Sequence, residues 1–205
     1  GCPFGHRTLR WEPRMGPFFF GERGGFHIIN LGQTNIMLEQ AANVMRDLGS
    51  RNAMVVFVGS KPQARIAMQD AATRTGQPVV FERWLGGTFT NFSVIAKLVR
   101  RMIDLERAVE SGEVRRYTKY EQGKLHEEIK RLQKLVGGIR TMNRLPDAIF
   151  VVGMREEITA IREAHRKKIP IIAICDSNND PALVTHAIPA NDDGVKSVEL
   201  ITKIM

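Results

Sequence analysis

Apolar positions fall into two alternating rhythms along the chain. Short runs rich in Val and Ile occur at Ala53 to Gly59, Ala148 to Gly153 and Ile169 to Cys175. They are nearly unbroken by polar residues, the pattern of strands buried on both faces of a parallel sheet. Two shorter β-type runs, His27 to Leu31 and Pro78 to Glu82, accompany them. Between the runs, apolar residues recur at helical spacing over Asn35 to Leu48, Gln63 to Thr75, Glu156 to Lys167 and Val195 to Met205. Strand and helix alternate, which predicts a three-layer α/β domain with right-handed crossovers. The first 25 residues hold no sustained period and are rich in Gly, Pro, Arg and aromatics. They read as an irregular arm.

The alternation breaks between Ser93 and Val136. Val94, Leu98, Met102, Leu105 and Val109 form one helical stripe, and Leu125, Ile129, Leu132, Val136 and Ile139 form a second. Ser111-Gly112 ends the first helix. Thr118, with Glu121 three residues on, is a capping box that starts the second. The expected product is an antiparallel helical hairpin, stripe on stripe as in a coiled coil. Gly137-Gly138 supplies a flexible exit back to the sheet. The expected domains are therefore an α/β body over 1–92 and 144–205, with an inserted hairpin over 93–143.

Composition narrows the function. Lys+Arg 30 against Asp+Glu 22 leaves a formal charge of +8, spread along the chain rather than packed into a tail. Such a balance suits a folded surface that meets a polyanion, nucleic acid ahead of an anionic membrane. Apolar residues make up 43%, enough for a sizeable core. Cys2 and Cys175 stand far apart, with neither a disulfide framework nor a zinc spacing. No apolar run approaches the roughly 20 residues of a membrane span, and no signal peptide is visible. The chain opens on Gly1 rather than Met, as a trimmed start would.

Chemistry-bearing motifs are few. Gly59-Ser60-Lys61 joins a buried strand to a helix and suits either a phosphate at the helix N-terminus or a plain tight turn. It is not a P-loop, and no dinucleotide fingerprint follows any strand. Asp176, Asp180, Asp192 and Asp193 follow the last strand runs, where ligands of open sheets gather. Mg²⁺ binding and ordinary turn chemistry both account for them. No histidine pair or nucleophile elbow marks a catalytic centre. Two segments combine cations with aromatics: Phe4 through Arg14 and Arg83 through Asn91. Arginine forks phosphate, and Trp and His offer flat faces to unpaired bases. Trp84, beside Leu85, reads instead as an anchor holding its loop to the core.

At these residues the chain resembles the universal family of small-subunit ribosomal protein two. The resemblance rests on Phe4-Gly5-His6, Arg10-Trp11-x-Pro13-x-Met15-x-Pro17-Phe18, His27-Ile28-Ile29-x-Leu31 and Phe57-Val58-Gly59-Ser60-Lys61. Arg83-Trp84-Leu85-Gly86-Gly87, Thr90-Asn91, Leu145-Pro146-Asp147, Asp176-x-Asn178-x-Asp180-Pro181 and Ile188-Pro189-x-Asn191-Asp192-Asp193 continue it in the family's order. It implies a flavodoxin-like parallel sheet with helices on both faces and a protruding helical hairpin. It also implies a structural, non-enzymatic place in the small subunit near the head–body junction, against rRNA and neighbouring ribosomal proteins. No cofactor, metal, membrane, small-molecule substrate or homo-oligomer is implied. The hairpin belongs to bacterial and organellar members, whose bacterial representatives help dock the large mRNA-binding protein one. Asn143-Arg144 before Leu145, Ser60, Phe89 and the lack of an acid around Gly153-Met154 depart from the usual pattern. These departures point to an organelle, the mitochondrion ahead of the plastid, over a bacterial cytoplasm. The residues expected to meet rRNA are His6, Arg7, Arg10, Trp11, Arg14, Arg23, Lys61 and Arg83.

Overall fold

The computed structural model describes residues 1–9 and 11–205, the Arg115 side chain aside. Its centre is a five-stranded parallel sheet. The strands are β4 (Val55–Val58), β5 (Val79–Val80), β6 (Ala148–Val151), β7 (Ile171–Cys175) and β8 (His186–Pro189), in the order β5-β4-β6-β7-β8. Numbered within the sheet this is 2-1-3-4-5, consistent with a flavodoxin-like fold. The Val- and Ile-rich runs are buried on both faces, as their unbroken apolarity predicted. Val56, Val58, Ile149, Val151, Ile171 and Ala173 face one core; Val55, Phe57, Ala148, Phe150, Ile172 and Ile174 face the other. Phe57 and Phe150 meet edge to face at 5.7 Å, and burying each ring is worth roughly 1.5–3 kcal/mol. Strand β8 was not among the expected runs. Its four residues HAIP carry too few apolar positions to stand out.

Helices cover both faces. On the Phe57 face lie α1 (Leu31–Ser50), α2 (Pro62–Thr75) and α6 (Val195–Ile204). Helix α1 starts earlier than the apolar period suggested because Asn30 caps it, its Oδ1 accepting from Gly32 N at 2.9 Å. On the Val56 face lie α3 (Phe92–Glu110), α4 (Lys119–Val136) and α5 (Ile158–Arg166). The capping box at Thr118 and Glu121 is present, and Gly112 leaves α3 in a left-handed conformation at φ 76°. Helices α3 and α4 are joined by Arg101 to Glu128 at 2.7 Å and by Gln133 to Glu106 at 2.8 Å, and Arg140, just beyond α4, also reaches Glu106 at 3.2 Å. The most buried line on α3 is Ile95, Val99 and Met102; Met102 keeps its expected place, Leu98 and Leu105 pack half-buried against the same core, and Val94 alone of these is exposed. Helix α3 packs chiefly on α4, and its most covered residues are those that join the common core.

Two expectations about irregular segments change. The first 25 residues, expected as an irregular arm, contain regular strands among the described ones. Strands β1 (Phe4–Arg7), β2 (Phe19–Arg23) and β3 (Phe26–Ile29) form an antiparallel sheet in the order β1-β3-β2. Gly24-Gly25, both at positive φ, make the hairpin turn between β2 and β3. The His27 run thus belongs to this small sheet, not to the parallel one. Gly138 is required for closeness rather than flexibility. A β-carbon there would collide with the Val79 carbonyl oxygen on edge strand β5. Among the described residues no helix is long and apolar enough to cross a membrane.

Candidate nucleic-acid interface

The small sheet docks against the carboxyl ends of the parallel strands. His6 N donates to Ser177 Oγ at 2.7 Å, and Glu12 N donates to Ser177 O at 2.8 Å. Gly5 lies so close that a β-carbon would sit 2.7 Å from Ser177 Oγ. The seam is polar and buried. Asp176, fully buried after β7, accepts from Ser177 N at 2.5 Å and from Asp192 N at 3.1 Å. Lys61, between β4 and α2, donates to Asp192 at 2.7 Å and Asp193 at 2.9 Å, with Glu156 at 3.8 Å. The His6 ring lies between Asp176 at 3.2 Å and Asp193 at 3.3 Å.

Charge in this cluster is unbalanced, because Asp176, Asp192, Asp193 and Glu156 outnumber Lys61 and His6. Burial and the nearby Asp176 push Asp192 up to about 6, against the pull of Lys61. The same excess holds Lys61 above its ordinary value despite burial. Interaction with Asp176 raises His6, partly offset by burial. Glu157, behind the seam, is raised by burial even though it accepts from Ser60 N at 2.9 Å.

This arrangement redistributes the expected roles. Lys61 is committed to carboxylates and Ser60 N to Glu157, so the Gly59-Ser60-Lys61 turn is occupied internally rather than left open for phosphate. The His6 ring faces the acids Asp176 and Asp193 and keeps 26% of its side-chain surface exposed. Asp176 and Asp180 do turn chemistry: Asp180 Oδ1 accepts from Ala182 N at 2.9 Å, and its other oxygen pairs with Arg14. Among the described residues no group of His, Cys, Asp and Glu has the geometry of a metal site.

The second cationic segment has its own clamp. Glu163 on α5 accepts from Gly87 N at 2.7 Å, Phe89 N at 2.9 Å and Thr90 N at 3.0 Å. Trp84 Nε1 donates to it at 3.2 Å. Burial favours the protonated acid, but the amides of Thr90, Gly87 and Phe89 outweigh it and hold Glu163 below its ordinary value. Trp84 is a buried anchor, as its neighbourhood in sequence implied. Arg83 stays exposed just before it.

The arm holds the other expected cations outward. Arg7, Arg14 and Arg23 are exposed; Arg10 lies outside the described residues. Pairing in the small sheet sets Phe26 opposite Arg7 on one side and Arg23 on the other. Directly opposed residues share a face, so the three form a row of cation, exposed aromatic and cation. Phe26 was not among the expected residues, because only the strand register brings it between the two arginines. Trp11 packs against Phe19 at 5.8 Å and His27 at 5.2 Å yet stays 43% exposed. Among the described residues Arg7, Arg23 and Arg83 form no ion pair.

A basic-aromatic arm on a 2-1-3-4-5 sheet matches the order of motifs in the sequence. The family model for ribosomal protein S2 matches residues 1–205. The chain belongs to the ribosomal protein S2 family. It is accordingly a small-subunit ribosomal protein, part of a ribonucleoprotein that acts in translation. Members of the S2 family are generally structural rather than enzymatic, which agrees with the internal use of Lys61, Asp176 and Asp180.

Proposed function

We propose that this S2-family chain is a structural constituent that binds small-subunit rRNA and neighbouring ribosomal proteins near the head–body junction, supporting assembly and translation. The observation that carries this reading is the Arg7-Phe26-Arg23 row, exposed and free of ion pairs among the described residues. Arginines that no protein acid neutralises favour a polyanion, and an aromatic between them favours one with unpaired bases. Arg83, exposed and without an ion pair among the described residues, extends the same chemistry; Arg14, exposed but paired with Asp180, and Arg10 are assigned alongside it by the family resemblance. Such contacts position the protein on the RNA more than they read its sequence. His6 and Lys61 serve the interface indirectly, by fixing the arm to the sheet. Residues 93–143 are read as the inserted unit, with α3 and α4 as an antiparallel coiled-coil hairpin that reaches protein neighbours. That hairpin and the departures at Asn143-Arg144 favour an organellar or bacterial member, in a mitochondrion ahead of a plastid.

Sedimentation of a tagged copy through sucrose gradients tests the reading. The expected result is co-migration with the small subunit that persists when low magnesium splits the ribosome. Arg7→Glu with Arg23→Glu should move the protein to the top of the gradient. Full incorporation of that double variant would refute the role given to the row.

A further inference from the structure

A cleft of about 370 Å³ lies beside the arm, lined by Trp11, Glu12, Arg155 and Asn178. It adjoins a second cleft of about 480 Å³ that shares Arg155 and Asn178 and adds Ser60 and Gln63. Its walls come from three separate stretches: the arm, the turn after β6 and the turn after β7. The arm wall and the wall after β7 are fixed without help from a ligand. Phe19 and His27 hold the Trp11 ring. The Glu12 amide is tied to Ser177 O at 2.8 Å. Asn178 rides on the turn closed by Asn179 N donating to Asp176 O at 3.0 Å.

The functional atoms on these walls are largely uncommitted. Among the described residues the Asn178 side chain makes no hydrogen bond and Arg155 no ion pair. The Glu12 carboxylate accepts one long bond, from Arg14 N at 3.5 Å. The cleft therefore offers a flat aromatic face, a guanidinium fork, an acceptor-only carboxylate and an amide that both donates and accepts. An unpaired nucleobase presents the complementary set: a π face, a polar edge and an adjoining phosphate. The carboxylate discriminates among bases. Guanine alone presents two adjacent N–H donors on its Watson–Crick edge. Adenine and cytosine place an acceptor next to the amino group, and uracil flanks its single N–H with acceptors.

We propose that this cleft takes one unpaired guanine of an RNA strand, stacked on Trp11, its Watson–Crick edge toward Glu12 and its phosphate toward Arg155. The inference rests on the rRNA-binding reading above and adds a base-selective pocket to it.

Tryptophan fluorescence of the full chain tests it, because the sequence holds only two tryptophans and Trp84 is buried. The probes are heptaribonucleotides of uridine with a central G, A, C or U. The expected result is quenching and roughly tenfold tighter binding for the G probe, the scale of one good bidentate base contact. Glu12→Gln should abolish the preference, bringing the affinity of the G probe relative to the U probe down to about one. Arg155→Ala should weaken all four probes alike. Thermal melting checks that both variants fold. Equal affinity for the four probes, or a G preference that survives Glu12→Gln, overturns the pocket. Quenching by an arginine-rich peptide but by no RNA also overturns it, in favour of protein docking. Binding of whole small-subunit rRNA by the same preparation separates the two claims. If rRNA still binds, only the pocket falls; if it does not, the rRNA reading falls with it.

Discussion

Two segments that carry exposed arginines are pinned to the α/β body by acids, one on helix α5 and the others around the carboxyl ends of the sheet, and the two clamps are built differently. The loop from Arg83 to Asn91 hangs on one carboxylate, Glu163, which collects neutral donors from Trp84, Gly87, Phe89 and Thr90. The N-terminal arm hangs on a cluster of opposing charges, with Lys61 and His6 among Asp176, Asp192, Asp193 and Glu156. A carboxylate ringed by amides is satisfied by geometry alone and stays ionised at neutral pH. A cluster with more acids than cations depends on how many protons it holds. The loop clamp is therefore a fixed fitting and the arm clamp an adjustable one.

The sharpest way to break this comparison is Lys61→Met. It leaves Asp192, 2% exposed, without its counter-charge, and removing one partner of a buried pair costs about 3–5 kcal/mol. Chemical denaturation should show a loss of that size. A loss under about 1 kcal/mol, the range of a solvated surface pair, would mean the cluster is not a clamp. Glu163→Gln comes next. The amide keeps the shape but loses one acceptor oxygen, stranding a buried donor at a cost of about 1–3 kcal/mol. Its distinguishing sign is a red shift of Trp84 emission as the indole loosens, a change that Lys61→Met should not produce.

The scaffold of these clamps was legible in sequence far more than the clamps were. Unbroken apolar runs at β4, β6 and β7 specify burial on two faces, and the Thr118–Glu121 box specifies where α4 begins. Both are local patterns of a few residues. Strands β8, β1 and β2 escape such reading because each is short and carries few apolar positions; the β3 run was visible, but its place in the arm's small sheet depends on pairing with both neighbours. The exchange of Val94 for Ile95 at the start of the α3 stripe escapes it too, since the choice depends on what packs against the helix. At the site, the outward arginines could be picked from composition. Their separation from His6 and Lys61 could not, because it depends on acids from residues 176 to 193 folding back onto them. Phe26 was invisible for the same reason: only register sets it between Arg7 and Arg23.

A pH series sharpens the difference between the clamps, with a smaller effect than either substitution. His6 is raised above its ordinary 6.5, so its contribution is complete below that pH and is lost as pH rises through the folded value. Asp192 is raised from 3.8 to about 6, so the folded state binds more protons across that window and stability again falls as pH rises. Glu163 is lowered from 4.5, so its contribution is complete above that pH and is lost only in acid. Raising pH from 5 to 8 should thus reduce amide-exchange protection in β1 and leave residues 87–90 unchanged, once intrinsic exchange rates are divided out. Equal loosening of both segments would show that global stability, not the arm clamp, is titrating.

The smallest effect expected is also the one that links the clamps to RNA. Arg7→Ala and Arg83→Ala should each weaken binding to small-subunit rRNA modestly and reduce the salt slope by about one, as loss of a single phosphate contact does. Their pH dependence should differ. Arg83 is presented by a clamp indifferent to pH near neutrality, so its contribution should be the same at pH 6 and pH 8. Arg7 lies on β1 one residue from His6, so its contribution should shrink at pH 8 as the strand loosens. Filter binding of both variants at the two pH values, across a range of salt, measures this directly. If Arg7 contributes equally at both, the arm stays docked when its charge cluster loses protons, and backbone contacts such as His6 N to Ser177 Oγ are enough to hold it.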